Sequence, residues 1–86
     1  MEEHRIEITR AASRELSNLE ARLGRRILTS LESLAIQPRP RQSRKLTGSE
    51  NSYRLQVGDY RILYEIDDTN KIITVFAVGH RRDIYR

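Results

Sequence analysis

Between Arg39 and Arg61 the chain carries Arg39, Arg41, Arg44, Lys45, Arg54 and Arg61, answered only by Glu50 and Asp59. A second basic group closes the sequence, Gly79-His80-Arg81-Arg82-Asp83-Ile84-Tyr85-Arg86, in which arginines surround an aromatic ring. The residue type matters here. A planar guanidinium fork matches phosphate oxygens in a way that a hydrated ammonium does not. Arginine beside an aromatic ring is also the combination used to hold single-stranded RNA, with phosphate on the fork and base on the ring. The chemistry on offer is therefore binding and neutralisation of anionic, phosphate-bearing partners. Charge runs of this kind also occur in solvated loops, and arginine-rich ends also fray, so the pattern alone leaves both readings open.

Other chemistries are excluded or disfavoured by composition. The chain has 86 residues and no cysteine, so neither a disulfide framework nor a thiolate metal site is available. His4 and His80 are the only histidines, too few for a histidine-based zinc site, and neither a metal nor a cofactor is expected. The opening Met1-Glu2-Glu3-His4-Arg5 lacks the basic and apolar regions of a signal peptide. No apolar run approaches the length that spans a bilayer, and the expectation is a cytoplasmic protein with no membrane partner. Lysine plus arginine exceed aspartate plus glutamate by 16 to 12, and the isoelectric point is about 10.0. An acidic partner is expected, nucleic acid or an acidic protein.

The elements that must position these cations follow from periodicity. His4 to Ile8 alternates polar and apolar residues, as a short strand does. Thr9 offers a hydroxyl cap to a helix carrying Ala12, Leu16, Leu19 and Leu23 at helical spacing. A second stripe follows past Gly24: Ile27, Leu28, Leu31, Leu34 and Ala35. This predicts two amphipathic helices, or one broken near residues 20–24, with the leucines in the core because so short a chain needs every apolar face it has. Gln37-Pro38-Arg39-Pro40-Arg41 ends the helix, since proline lacks the amide donor and disfavours helix in the residue before it. A loop is expected through Gly48 and Asn51.

From Tyr53 the period changes to two. Tyr53, Leu55 and Val57 alternate with Arg54 and Gln56, Gly58-Asp59 suits a two-residue hairpin turn, and Tyr60, Ile62, Tyr64 and Ile66 alternate on the return strand. Asp67 to Asn70 forms the next turn, and Lys71 to Gly79 is a last strand rich in β-branched residues. The order strand, helix, helix, then three strands predicts a single α+β domain over residues 1–86, with both helices packed on one face of a small, mostly antiparallel sheet (β-α-α-β-β-β).

The hairpin turn also sets which residues share a face. Val57 should lie opposite Tyr60, Leu55 opposite Ile62 and Tyr53 opposite Tyr64, all under the helices. The other face then carries Arg54, Gln56, Arg61, Leu63 and Glu65, with Gln56 directly across from Arg61. Two arginines converge on that face. Exposed strand positions are often simply polar, and charge on an edge strand also blocks aggregation, so convergence by itself does not assign a function.

Three segments carry a family resemblance: Arg44-Lys45-Leu46-Thr47-Gly48, the hairpin from Tyr53 to Ile66, and Val78-Gly79-His80-Arg81-Arg82-Asp83-Ile84-Tyr85. Together they resemble the RelE branch of the RelE/ParE toxins. The likeness spans essentially the whole chain, in pattern over the helical half and in sequence over the sheet half. It implies a RelE-like fold and the toxin of a type II toxin–antitoxin system. It further implies a ribosome-dependent, metal-independent endoribonuclease that inhibits translation by driving a 2′-hydroxyl of messenger RNA onto the adjacent phosphate. The partners it implies are the ribosome and messenger RNA, a cognate antitoxin that wraps and neutralises the toxin, and operator DNA reached through that antitoxin.

Carried over residue by residue, the resemblance makes Arg61, Arg81, Tyr85 and Arg54 the catalytic candidates, and Arg44, Lys45, Arg54, Gln56, Arg82 and Arg86 the RNA-binding ones. Arg54 and Gln56 stand where RelE-type toxins often have lysines. Those departures bear on mechanism. Arginine stays charged and suits charge stabilisation better than proton transfer, and glutamine does not titrate. Proton transfer is left to Tyr85, to His80 or to a group on the RNA; alternation past Gly79 puts His80 on the side away from Arg81 and favours a structural role for it. Two other functions share the fold: a ParE-like inhibitor of DNA gyrase acting by protein contact, and a catalytically weak antitoxin-binding co-repressor disabled by Arg54 and Gln56.

Overall fold

The computed structural model describes residues 3–82. The elements are strand β1 (Arg5–Ile8), helices α1 (Arg10–Ser17) and α2 (Ala21–Ile36), and strands β2 (Ser43–Lys45), β3 (Ser52–Val57), β4 (Tyr60–Asp67) and β5 (Ile72–His80). The five strands form one sheet in the order β1-β5-β4-β3-β2, with β1 parallel to β5 and every other pair antiparallel. The expected α+β architecture is present, with one additional strand. Tyr85 and Arg86 lie outside the described residues.

Both helix starts are capped by side chains. The Thr9 hydroxyl accepts from the Ala12 amide at 3.2 Å, and the Glu20 carboxylate accepts from the amides of Arg22 and Leu23, each at 3.1 Å. The break between the helices falls at Asn18 to Glu20, where the Glu20 cap restarts the helix, and Gly24 lies inside the first turns of α2. α2 ends at Ile36, just ahead of Pro38, as the prolines require.

Ala12, Ile27, Leu31 and Leu34 pack onto Leu55, Val57, Ile62, Tyr64, Ile66, Ile73, Val75 and Val78, the helix-facing side of the sheet. Each buried valine, leucine or isoleucine among them contributes about 1.5–3 kcal/mol by leaving water. Leu28 departs from expectation. It is 46% exposed, because the buried stripe Ile27, Leu31, Leu34 is a narrow i, i+4, i+7 seam and Leu28 lies about 100° around the helix from its first member. Among the described residues, no helix is long and apolar enough to cross a membrane.

The hairpin register is the expected one: Val57 faces Tyr60, Leu55 faces Ile62, Tyr53 faces Tyr64 and Gln56 faces Arg61. Gly58 takes φ +61°, in the left-handed region that a tight turn demands and that a Cβ penalises. Two features depart from the sequence reading. Ser43–Lys45, expected as loop, pairs with β3 as a three-residue edge strand, too short to show a period of two. In β5 the register shifts between Leu63 and Tyr64, whose partners are Ala77 and Val75, so Phe76 is an extra residue in the strand. Before the bulge Ile73 and Val75 face the helices; after it Val78 and His80 do, and Ala77 and Gly79 turn to the opposite face.

Candidate functional site

The face of the sheet away from the helices is built in cross-strand rows. One row runs Arg44, Arg54, Leu63, Ala77; the next runs Gln56, Arg61, Gly79. Leu63 is only 7% exposed and supplies an apolar floor between the cations. Arg44, Arg54, Gln56 and Arg61 line one cleft of about 200 Å³ together with Gln42. Lys45, Leu46, Thr47 and Arg54 line a shallower depression, so Arg54 is common to both. None of the residues lining the cleft is acidic. Four of the predicted site residues, Arg44, Arg54, Gln56 and Arg61, are therefore brought together from three strands, whereas Lys45 pairs with Tyr53 and shares only the second depression with Arg54.

β2, the strand missed in the sequence, makes this possible. Its pairing sets Arg44 directly opposite Arg54. Like charges in that relation destabilise a sheet by a few tenths to about 1 kcal/mol, a cost that an anion between them relieves. One Arg44 terminal nitrogen donates to the carbonyl oxygens of Arg41 and Ser43, each at 2.9 Å, which directs the guanidinium. Gln42 adds an amide to the cleft wall that the sequence did not single out, because it lies in an irregular loop. The Gln56 amide donates to the Gly58 carbonyl at 2.9 Å, so this side chain also secures the hairpin turn.

Arg81 and Arg82 follow directly on β5. The Arg81 amide donates to the Asp59 carbonyl at 2.9 Å, continuing the ladder one step past the pair Tyr60–His80. Gly79 lies opposite Arg61, and alternation from Gly79 gives Arg81 the parity of the arginine face. The bulge at Phe76 sets that parity; unbroken alternation from Ile73 would have turned Arg81 toward the helices. Nothing in the sequence around Phe76 signals it. His80 takes the other parity, as expected, with its ring edge on Tyr60 at a centroid distance of 5.5 Å.

Arg39, counted among the cations of the basic stretch, is used elsewhere. Its guanidinium donates to Asp68 Oδ2 at 2.8 Å and to the Tyr53 hydroxyl at 3.0 Å, and lies 5.3 Å from the Tyr53 ring centroid. Asp68 also meets His4 Nε2 at 3.1 Å. The hydrogen bond to Asp68, then the one to Tyr53, hold the Arg39 guanidinium even more firmly charged than usual, and Arg39 followed by His4 pulls the Asp68 carboxyl below its ordinary range. Tyr53 stacks on Tyr64, whose hydroxyl donates to the Pro38 carbonyl at 2.9 Å; burial pushes the Tyr64 phenol upward. This network anchors the loop that leads into β2.

The family model described as the ParE toxin of the type II toxin–antitoxin system, parDE, matches residues 6–85. The curated relative Toxin RelG of Mycobacterium tuberculosis is 44% identical over 43 residues, covering 50% of this chain and 46% of that protein, so the match spans about half the relative's length. Among solved structures, the archaeal RelE–RelB complex from Pyrococcus horikoshii OT3 is similar at a TM-score of 0.83 and 28% identity, over 93% of this chain and 97% of that one. The toxin–antitoxin complex RelBE2 from Mycobacterium tuberculosis is similar at a TM-score of 0.81 and 26% identity, over 92% and 99% of the two chains. The isolated E. coli RelE toxin, at a TM-score of 0.80 and 22% identity over 90% and 83%, is alike in fold. With the family model covering residues 6–85 of 86, and the α+β sheet and arginine face in place, the chain belongs to the RelE/ParE family of type II toxin–antitoxin toxins.

Proposed function

We propose that this toxin is a ribosome-dependent endoribonuclease that cleaves messenger RNA on the arginine face of its sheet and so arrests translation in the cytoplasm. The observation that carries the reading is the cleft of Arg44, Arg54, Gln56 and Arg61, three arginines and neutral amides without an acidic lining residue. Such a cleft attracts phosphate, and guanidinium groups lining a groove suit the backbone of a single strand.

In this reading Arg44, Lys45, Arg54 and Arg82 hold the backbone phosphates. Arg61, with Arg81 and Arg54, stabilises the charge that builds on the phosphorane as the 2′-oxygen attacks and the 5′-oxygen leaves. Guanidinium groups remain charged through such a step, so charge stabilisation is assigned to arginine and not to a metal. Proton transfer falls to Tyr85, by family position, or to the RNA itself; Arg86 adds a further phosphate contact. Gln56 donates a hydrogen bond and does not titrate, so the rate depends on alignment of the substrate by the ribosome. A cognate antitoxin is the expected protein partner, and operator DNA is reached through it.

The test is translation in a purified system with and without the protein, followed by primer extension on the message. Cuts confined to ribosome-bound message are expected. Intact message with loss of gyrase supercoiling would instead establish the ParE-like alternative. Intact message and normal supercoiling, reversed by lysine at positions 54 and 56, would identify a weakened co-repressor.

A further inference from the structure

We propose that His80 is a positioning residue whose ring nitrogen takes the place of an Asx-turn oxygen and fixes the backbone of Arg81 and Arg82 just beyond Gly79, the residue paired with Arg61. The inference rests on the arginine face being the RNA-cleaving site. The Arg82 amide donates to His80 Nδ1 at 3.2 Å. A side-chain acceptor at i taking the amide of i+2 is the geometry by which asparagine and aspartate close their local turns. Here an imidazole closes it at the point where β5 stops and the two arginines begin.

The ring is held from the other side as well. Tyr60 lies directly opposite His80 in the register and meets its ring edge-on, at an interplanar angle of 79°. The Arg81 amide is meanwhile tied to the Asp59 carbonyl at 2.9 Å. The backbone carrying the two arginines is thus fixed at Arg81 by the hairpin turn and at Arg82 by His80. His80 does not itself face the cleft: its parity is that of Tyr60, under the helix side, whereas Gly79 and Arg61 share the arginine face. It acts on the site through the chain that follows it.

Histidine combines two properties that other side chains offer singly. Asparagine presents an acceptor in the place of Nδ1 but no ring for Tyr60. Phenylalanine presents the ring but no acceptor. If His80 only packs, His80→Phe is the milder change; if it positions the arginines, His80→Asn is.

The experiment uses the full chain carrying either substitution, read by cleavage of ribosome-bound message and by thermal unfolding. His80→Asn is expected to cleave about tenfold or more faster than His80→Phe, a displaced arginine costing rate even when the chemistry is intact. His80→Phe is expected to unfold at the higher temperature of the two. Equal cleavage by the two variants, or cleavage that simply follows unfolding temperature, overturns the proposal. If the wild-type chain leaves message intact, the proposed function falls separately, and positioning is read from hydrogen exchange at the Arg82 amide. Protection in wild type and His80→Asn but not in His80→Phe supports it; equal exchange in all three overturns it.

Discussion

Arg44 and Arg54 stand directly opposite each other across β2 and β3, and the cleft they border continues to Arg61 with only Gln42 and Gln56 as neutral lining. A facing pair of guanidiniums is a poor choice for sheet stability and a good one for gripping a phosphate. Arg54→Gln is therefore expected to leave unfolding free energy unchanged or to raise it by up to about 1 kcal/mol. It should also weaken binding of single-stranded RNA and lower the slope of log K against log salt by about one. Urea denaturation and a salt titration of binding check the two halves; a loss of stability with unchanged binding would show the pair to be structural.

Arg61 lies between Gln56 and Gly79 at the centre of the arginine face. Arg61→Ala should reduce cleavage of ribosome-bound message by about 10²–10³-fold, the usual cost of removing one preorganised group that stabilises developing charge. The fold and antitoxin capture should persist. Wild-type cleavage by this variant would place the chemistry elsewhere.

Tyr64 is buried under the helices with its hydroxyl on the Pro38 carbonyl at 2.9 Å. Tyr64→Phe keeps the ring and its stacking on Tyr53 and removes only that bond. An unfolding free energy lower by about 1 kcal/mol is expected from chemical denaturation, with β2 loosening because the loop that leads into it loses an anchor.

Asp68 links Arg39 and His4, and the Arg39 guanidinium, followed by His4, holds its carboxyl below the ordinary range. A carboxyl depressed in the folded state binds fewer protons there than in the unfolded chain. Its contribution to stability is complete above the unfolded value, about pH 4, and is lost as pH falls through the lower folded one. Acid unfolding should thus be shallower over that window in Asp68→Asn than in wild type, and the difference should shrink in high salt because the pair is exposed. Identical acid profiles would show that Asp68 contributes nothing.

Much of this architecture is written in local pattern. The hairpin from Tyr53 to Ile66 was legible because a period of two, one glycine-containing turn and a one-sided apolar face together allow a single register, and that register places Gln56 across from Arg61. The helices were legible from their leucine spacing and from Thr9, and the likeness to RelE toxins rested on this hairpin together with residues 44–48 and 78–85. Three things were decided only by the tertiary structure. Ser43–Lys45 becomes a strand because β3 offers it an edge to pair with, since three residues carry no period of their own. Arg39 leaves the basic cluster because folding brings Asp68, 29 positions away in sequence, to its guanidinium. Finally, the bulge at Phe76 reverses the alternation of β5, so that Val78 and His80 enter the core side and Arg81 takes the parity of the arginine face. Parity along a strand is a local property until one unpaired residue resets it, and where that residue falls depends on the neighbouring strand and not on the strand's own sequence.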